Sequence, residues 1–389
     1  MKHSTLFVIG AGPVGAAFAL LAHAHGQPVR LIDARPDPRV TPLTEMRTLA
    51  LSHGSQQILT RAGLDDSFWQ DPSRVASILS VHTSQQGGFG RVRLTHEDAG
   101  VPALGHVVRY GELQQALDAA IARAGLAVEF GARVLAIDAA AGAVRWQRDD
   151  GSEADASAAW VVLADGGANL DKLPGISTDE KDYGQSALLG HVRLDRAHNG
   201  VAYERFTATG PLALLPSPGA PDEMSLVWVD LHAAIDARMA QTDQDIAQQF
   251  ATAFGARAGG ITTFSGRRRY PLKLRQASRR MNGRVAIIGN AAQAMHPVAG
   301  QGFNLGLRDA ARLAELVGSM APNLVQLEYR LQRAGDVSRG VAFTDLLASG
   351  FLGDGFPLRA ARGSVLAAVD LVAPARRALA RRMLFGSGA

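Results

Sequence analysis

Residues 289–309, GNAAQAMHPVAGQGFNLGLRD, decide the fold. They follow an apolar run, Val285-Ala286-Ile287-Ile288, and lead into Leu305, Leu307, Ala310, Leu313, Leu316 and Val317, whose spacing is helical. A strand therefore ends at Gly289-Asn290, crosses a Pro/Gly loop and starts a helix at Gly300-Gln301-Gly302. That geometry turns free backbone N–H groups, and the positive end of a helix dipole, toward whatever stands in front of it. Such a turn belongs to an α/β sheet.

The amino-terminal stretch has the same design. Leu6-Phe7-Val8-Ile9 reads as a short buried strand, Gly10-Ala11-Gly12-Pro13-Val14-Gly15 follows, and an Ala-rich helical run from Ala16 to His25 stops at Gly26. A second strand, Val29-Arg30-Leu31-Ile32, ends at Asp33, eighteen residues past the third glycine. This is a dinucleotide fingerprint in its required setting. The first glycine makes the tight turn, the second admits the pyrophosphate, and the third allows close helix–strand packing. The acid receives a ribose hydroxyl. By itself the fingerprint does not separate FAD from NAD.

Two further segments join these. Val161-Val162-Leu163-Ala164-Asp165-Gly166-Gly167 reads as a buried strand ending in a turn, Arg47 stands in Met46-Arg47-Thr48-Leu49-Ala50-Leu51, and Arg109 opens the helix Gly111–Ala124. Taken together, the chain resembles the class A flavoprotein monooxygenases, and within them the ubiquinone-biosynthesis hydroxylases that act on polyprenylated phenols. The 289–309 block is similar to their second flavin-binding motif, and the Asp165-Gly166 turn to their Asp-Gly motif. Here Gly167, Ala168 and Asn169 stand where that family more usually shows Ala or Thr, Asn or Arg, and Ser. Glu204-Arg205-Phe206-Thr207, Gly210-Pro211-Leu212-Ala213-Leu214-Leu215-Pro216 and Tyr270-Pro271-Leu272 extend the resemblance over nearly the whole chain. Many class A members have Gly-Asp-Ala-Ala-His where this chain has Gly289-Asn290-Ala291-Ala292-Gln293. The ubiquinone-type relatives share Gly-Asn-Ala-Ala-Gln.

The resemblance implies a Rossmann-like FAD-binding domain split in sequence (1–72, 100–175 and 275–342). It also implies an antiparallel-sheet substrate domain (73–99 and 176–274) and a C-terminal helical segment (343–389). It implies FAD as cofactor, NAD(P)H as transient reductant, and O₂ chemistry through a flavin C4a-hydroperoxide on a polyprenylated methoxyphenol. Cofactor contacts are then expected at Gly10, Gly12, Pro13, Gly15, Asp33, Arg47, Arg109, Asp165, Gly166, Asn290, Gly302, Phe303 and Asn304. The loop His296-Pro297 to Gly300 is expected to face the flavin, and Tyr203 and Arg205 the substrate. Rival readings are a hydroxylase of a soluble, salicylate-type phenol and a non-catalytic flavoprotein scaffold of a biosynthetic complex.

Composition narrows the field further. The 389 residues are 47% apolar and 20% charged, an ordinary globular balance, and contain no cysteine. Disulfides, thiolate metal sites and cysteine nucleophiles are excluded, and no His-rich motif suggests a metal. A formal charge of +4 with no basic stripe among aromatics argues against nucleic acid. No apolar run approaches the ~20 residues that span a bilayer. The first strand begins within five residues, which leaves no room for a signal peptide, so a cytoplasmic location is expected. The basic tail Pro374–Phe385, with Arg376, Arg377, Arg381 and Arg382, suits either an anionic membrane surface on the inner face of the cytoplasmic membrane, an acidic partner in a biosynthetic complex, or a terminal helix packed on its own domain.

Overall fold

The structure is a computed structural model that describes residues 5–41, 43, 45–255, 257–295, 301–321, 324–333, 335 and 356–385. One sheet has six strands in the order 281–282, 285–287, 160–163, 6–9, 29–32, 128–129. All its pairings are parallel except the 281–282 edge. Strands buried on both faces read as unbroken apolar runs, as Leu6–Ile9 and Trp160–Leu163 do. The helix Pro13–Ala24 is the first crossover and packs against the helix Gln301–Ser319. Contact there is close because two glycines leave a notch for Val14. A Cβ on Gly306 would lie 3.0 Å from Gly289 Cα and 3.1 Å from Val14 Cγ2. The two sequence motifs are thereby pressed together.

The short apolar stretch at Val128–Glu129 could by its length join a small antiparallel meander. The structure instead pairs Val128–Glu129 in parallel with Val29–Ile32, and the meander is Arg133–Asp138, Ala143–Gln147 and Glu153–Ser157. The reason is the preceding helix Tyr110–Arg123, a crossover long enough to return the chain in the parallel sense.

A second sheet roofs the first lobe. Its eight strands run in the order 293–294, 261–277, 178–194, 223–231, 211–216, 201–206, 80–85, 91–95. It is antiparallel apart from the pair 201–206 with 80–85. Its outer face is covered by the helices His232–Met239 and Asp243–Phe254, the second opened by a Thr242/Asp245 capping box. Ile246, Phe250 and Phe254 bury there against Leu212, Leu214 and Trp228. The inner face carries Ala187, Val229 and Leu272 and looks toward the nucleotide lobe.

Two carboxy-terminal helices, Phe356–Leu371 and Ala373–Phe385, lie along the hairpin 80–95. Ala380 and Leu384 are buried among Ile78, Leu94 and Leu104. Arg376 donates twice to the Asp98 carboxylate, at 2.9 Å each, and once to the Asp370 carbonyl. The basic tail is therefore a helix packed on its own protein with its apolar arc turned inward. Of its four arginines, Arg377, Arg381 and Arg382 are exposed. No helix of the described residues is long and apolar enough to cross a membrane.

Candidate active site

The glycines of the first motif divide into two kinds. Gly10 has φ +94°, and a Cβ there would fall 2.8 Å from the Ala164 carbonyl and Asp165 Cα. At Gly15 it would fall 2.0 Å from the Gly10 oxygen. Both positions need glycine so that the first helix, the first strand and the Asp165 turn can close on one another. Gly12 differs. A Cβ there would meet nothing nearer than the Tyr110 hydroxyl at 3.9 Å, and as N-cap it makes no side-chain capping bond. Gly302, at the start of the second motif's helix, likewise faces space, with only Met295 Cβ at 4.0 Å. The helix starts at Gly12 and Gly302 thus both border one cavity.

That cavity encloses about 1160 Å³ between the two sheets. Asp33 stands on its wall, accepting from the Ala11 N–H at 2.6 Å and the Arg35 N–H at 2.8 Å. Next to it Gln114, almost fully buried, donates to the Ala11 carbonyl and to Asp118, but its own Oε1 has no partner among the described residues. A buried unpaired acceptor on a cavity wall is costly unless a ligand donates to it. Arg47 lies over the Tyr110 ring at 4.6 Å and pairs with Glu45 at 3.1 Å. Its segment is held by the Tyr110 and Gly111 N–H groups, which donate to the Arg47 and Glu45 carbonyls.

Opposite, Asp165 accepts from the Gly167 N–H at 2.8 Å and the Asn169 amide at 2.6 Å. Burial nevertheless holds its carboxyl above the usual range. The unusual residues after Gly166 have a structural reason. Gly167, at φ +95°, leaves room for the Arg275 guanidinium, which a Cβ would approach to 2.6 Å, and Arg275 donates to the Gly166 carbonyl. Asn169 ties Asp165 to Lys172, whose ammonium donates to its Oδ1 at 2.7 Å.

Sequence reasoning missed the part that locks the second motif. Asp309 is fully buried and accepts from Arg333 Nε at 2.7 Å, Gln293 Nε2 at 3.0 Å and Arg280 Nη1 at 3.2 Å. The carboxylate joins both ends of the 289–309 block to the helix 324–333. Its signal was present: an acid four residues after Leu305 lies on the helix's apolar face. Asn304 also has a structural task. Its Oδ1 accepts from the Ser52 N–H at 2.8 Å and its amide donates to the Ala50 carbonyl at 3.1 Å, which fixes the strand Thr48–Ser52 at the cavity. Tyr110 and Gln114 were missed because neither belongs to a motif.

The expected residues Gly10, Gly12, Pro13, Asp33, Arg47, Asp165, Gly166, Asn290, Gly302, Phe303 and Asn304 all line the cavity. Gly15 lies behind it, as its packing requires. Arg109 does not reach it. Its guanidinium donates to the Pro218 carbonyl at 2.7 Å and the Ser73 carbonyl at 3.0 Å, and stands 3.6 Å from Glu223, tying the nucleotide lobe to a roof turn. The two residues expected at the substrate sit differently from each other. Tyr203 borders the cavity, but its ring meets Phe254 edge-on at 5.7 Å, and Arg205 donates to the Ala253 carbonyl on the outer side. Strand alternation puts their neighbours Ala202 and Glu204 on the cavity face. His296, Pro297 and Gly300 lie outside the described residues. No cluster of three metal-ligating side chains occurs among the described residues.

A parallel nucleotide sheet, a roof sheet and a shared cavity entered by two helix starts define the FAD-dependent monooxygenase architecture. A family model described as "FAD binding domain" matches residues 3–321, and the chain belongs to that family. FAD is its cofactor and ring hydroxylation its class of reaction. Similar proteins include ubiquinone hydroxylase UbiL of Rhodospirillum rubrum, 31% identical over 98% of this chain and 90% of the relative. The 3-demethoxyubiquinol 3-hydroxylase of Escherichia coli is 29% identical over 93% of this chain and 94% of its own. Among solved structures, p-nitrophenol 4-monooxygenase of Pseudomonas putida superposes with a TM-score of 0.80 at 17% identity, over 99% of this chain and all of that one. Klebsiella pneumoniae HpxO, complexed with FAD and uric acid, gives 0.74 at 19% identity, over 100% and 98%. Both share the fold.

Proposed function

We propose that this flavoprotein hydroxylates the ring of a polyprenylated methoxyphenol in ubiquinone biosynthesis, taking electrons from NAD(P)H and an oxygen atom from O₂. The observation that carries this reading is the two-ended shape of the cavity. Its polar end is made by the motif residues. Its other end continues past Leu215 and Ala202 to Ile78, Val81, Leu94 and Leu104, and closes on Ala380, Met383 and Leu384 of the last helix. A soluble phenol has no use for such a passage, whereas an isoprenoid tail gains about 0.8 kcal/mol per buried methylene in it. The relatives named above for ubiquinone hydroxylation support the same substrate class.

The residues fit the cofactor: the helix start at Gly12 suits a pyrophosphate, Gln114 Oε1 lacks a donor among the described residues, and Gly12 and Gly302 leave open space. On this reading Asp33 accepts from a ribose hydroxyl, and Gly12 to Val14 receive the pyrophosphate with Arg47 and Asp165-Gly166 nearby. Asn290 meets the ribityl chain. Backbone N–H groups from Gly302 to Asn304 steady negative charge on the flavin ring edge. Bound and reduced, FAD supplies the activation of O₂ that no side chain can supply. The roof residues Leu189, Ala213, Val227 and Val229 press the phenol ring toward it and exclude water. Glu204 is the one acid the roof contributes among the described lining residues, and is placed to draw the proton from a phenol hydroxyl and make the ring more electron-rich. The sequence carries one dinucleotide fingerprint, at Gly10 to Gly15, and on this reading NAD(P)H acts as a transient reductant without a domain of its own.

Quinone lipids of a deletion strain test this. Accumulation of a polyprenyl phenol lacking one ring hydroxyl, cured by the wild-type gene, is expected. An unchanged quinone profile overturns the reading.

A further inference from the structure

A second cavity of about 520 Å³ opens on the outer side of the hairpin 80–95, away from the cofactor. Its wall carries three guanidinium groups, Arg91, Arg205 and Arg257, against one carboxylate, Asp370. Asp370 is already engaged, accepting from the Arg93 N–H at 2.9 Å. None of the three arginines has a carboxylate within 4.0 Å among the described residues. Arg205 is anchored through Nε to the Ala253 carbonyl at 2.8 Å and through Nη1 to Ser84 at 3.2 Å, so its charge is held in place. Burial and the facing Arg257 both lower its affinity for its proton. Burial, then Arg257, then Arg91 and Arg93, likewise depress His82 on the same face. Among the described residues, three guanidinium groups therefore stand against one carboxylate, which leaves the pocket a net positive charge.

The pocket is also firmly built. Gly90 and Gly363 touch, a Cβ on Gly90 falling 2.2 Å from the Gly363 carbonyl, and Gln85 donates to the Phe89 and Arg359 carbonyls at 2.8 and 2.9 Å. On its rim Phe89 and Leu371 are 57% and 83% exposed, and Val372 follows at 49%. Large apolar side chains exposed around a pocket of net positive charge match one kind of surface, charged at the head and oily beneath.

We propose that this pocket receives the phosphate of an anionic phospholipid and docks the protein on a membrane, with Phe89, Leu371 and Val372 entering the interface. The helix Phe356–Leu371 joins the two cavities. Leu366 packs with Ile78 and Leu94 toward the apolar end of the first, while Ala367, Asp370 and Leu371 face the second. Docking there sets the apolar end of the cofactor cavity close to the bilayer. The expected membrane contact thus moves from the four tail arginines to this pocket. Docking requires neither FAD nor a phenol, so it stands or falls apart from the hydroxylase assignment.

Flotation of the full chain with phosphatidylcholine vesicles, with and without phosphatidylglycerol, tests the site. Wild type is expected to float with the anionic vesicles only. An Arg91→Gln/Arg257→Gln variant is expected to bind roughly tenfold or more weakly. Phe89→Ser/Leu371→Ser is expected to weaken binding without a change of charge, and Arg377→Gln/Arg381→Gln/Arg382→Gln to weaken it less than the pocket variant. Circular dichroism and flavin absorbance confirm that each variant is folded. Absence of wild-type flotation, equal binding by the pocket variant, or displacement by inorganic phosphate at physiological concentration, which marks a free-anion site, overturns the proposal.

Discussion

The two ends of the cofactor cavity are built by opposite means. The polar end comes from contiguous motifs whose backbone does the work: Gly10 to Gly15, Asp165 to Gly167, and the block ending at Asp309. The apolar end is assembled from single side chains of distant segments, Ile78, Val81, Leu94, Ala202, Leu215 and Leu384, with no local pattern. A phosphate needs exact donors, so its site tolerates few changes. An isoprenoid chain needs only volume and dryness, so its site accepts many sequences.

The sharpest way to break that contrast is within one motif. Gly12→Val should leave the fold intact, since the added atoms enter open space, yet cost about 3 kcal/mol or more of FAD affinity, a hundredfold or greater loss. Gly15→Val should destabilise the protein itself. Equal flavin content in folded wild type and Gly12→Val, by absorbance after gel filtration, would falsify the role of Gly12.

Asp309 tests whether the polar end needs its buried support. Asp309→Ala removes the buried carboxylate that Arg280 and Arg333 share and should lower stability by about 3–5 kcal/mol. Denaturant unfolding measures it, and a loss below about 1 kcal/mol, the typical worth of a surface pair, contradicts the role.

Between the two ends runs the strand Gly105–Arg109, with Val108 in the nucleotide-lobe core and Val107 against the apolar end. His106 is buried in it, and burial together with His53 pushes its imidazole from 6.5 down to about 4. The unfolded imidazole takes its proton near 6.5 while the folded one stays neutral until about 4. Stability is therefore full above 6.5, falls between 6.5 and about 4, and levels off below, a total of about 3 kcal/mol. Unfolding curves across that range should show the slope in wild type and lose it in His106→Gln. An unchanged slope in the variant refutes the assignment.

The apolar end should respond more gently and more selectively. Ala380→Trp narrows the passage and should reduce kcat/KM for long-tailed phenols by about tenfold, roughly 1.4 kcal/mol, while sparing short-chain analogues. An equal fall for both lengths would place Ala380 in general packing.

The same contrast explains what the sequence disclosed. Gly-rich turns are read locally because φ and close approach demand glycine at fixed spacing, so the strand–turn–helix units, the α/β class and the FAD family were legible. Faces of the roof strands were not. Val201–Phe206 alternates weakly, so choosing between Tyr203 and Arg205 or Ala202 and Glu204 as the inward pair is a one-residue choice that exchanges the two sides of a sheet. Arg109 misled for another reason: a guanidinium reaches far enough to serve a roof turn as readily as a phosphate. The tail's arginines were visible, but their direction depended on Asp98, 278 residues away.

The central claim is that one cavity holds a flavin at one end and a polyprenyl tail at the other. Its most direct test is hydroxylated product formed per NAD(P)H by the purified protein, on a methoxyphenol bearing no tail, one isoprene unit or several. Efficient coupling, with kcat/KM rising at least about tenfold from the tail-less to the tailed phenol, is predicted from methylene burial. Equal or better use of the tail-less phenol, or NAD(P)H consumption without product at every length, would contradict it.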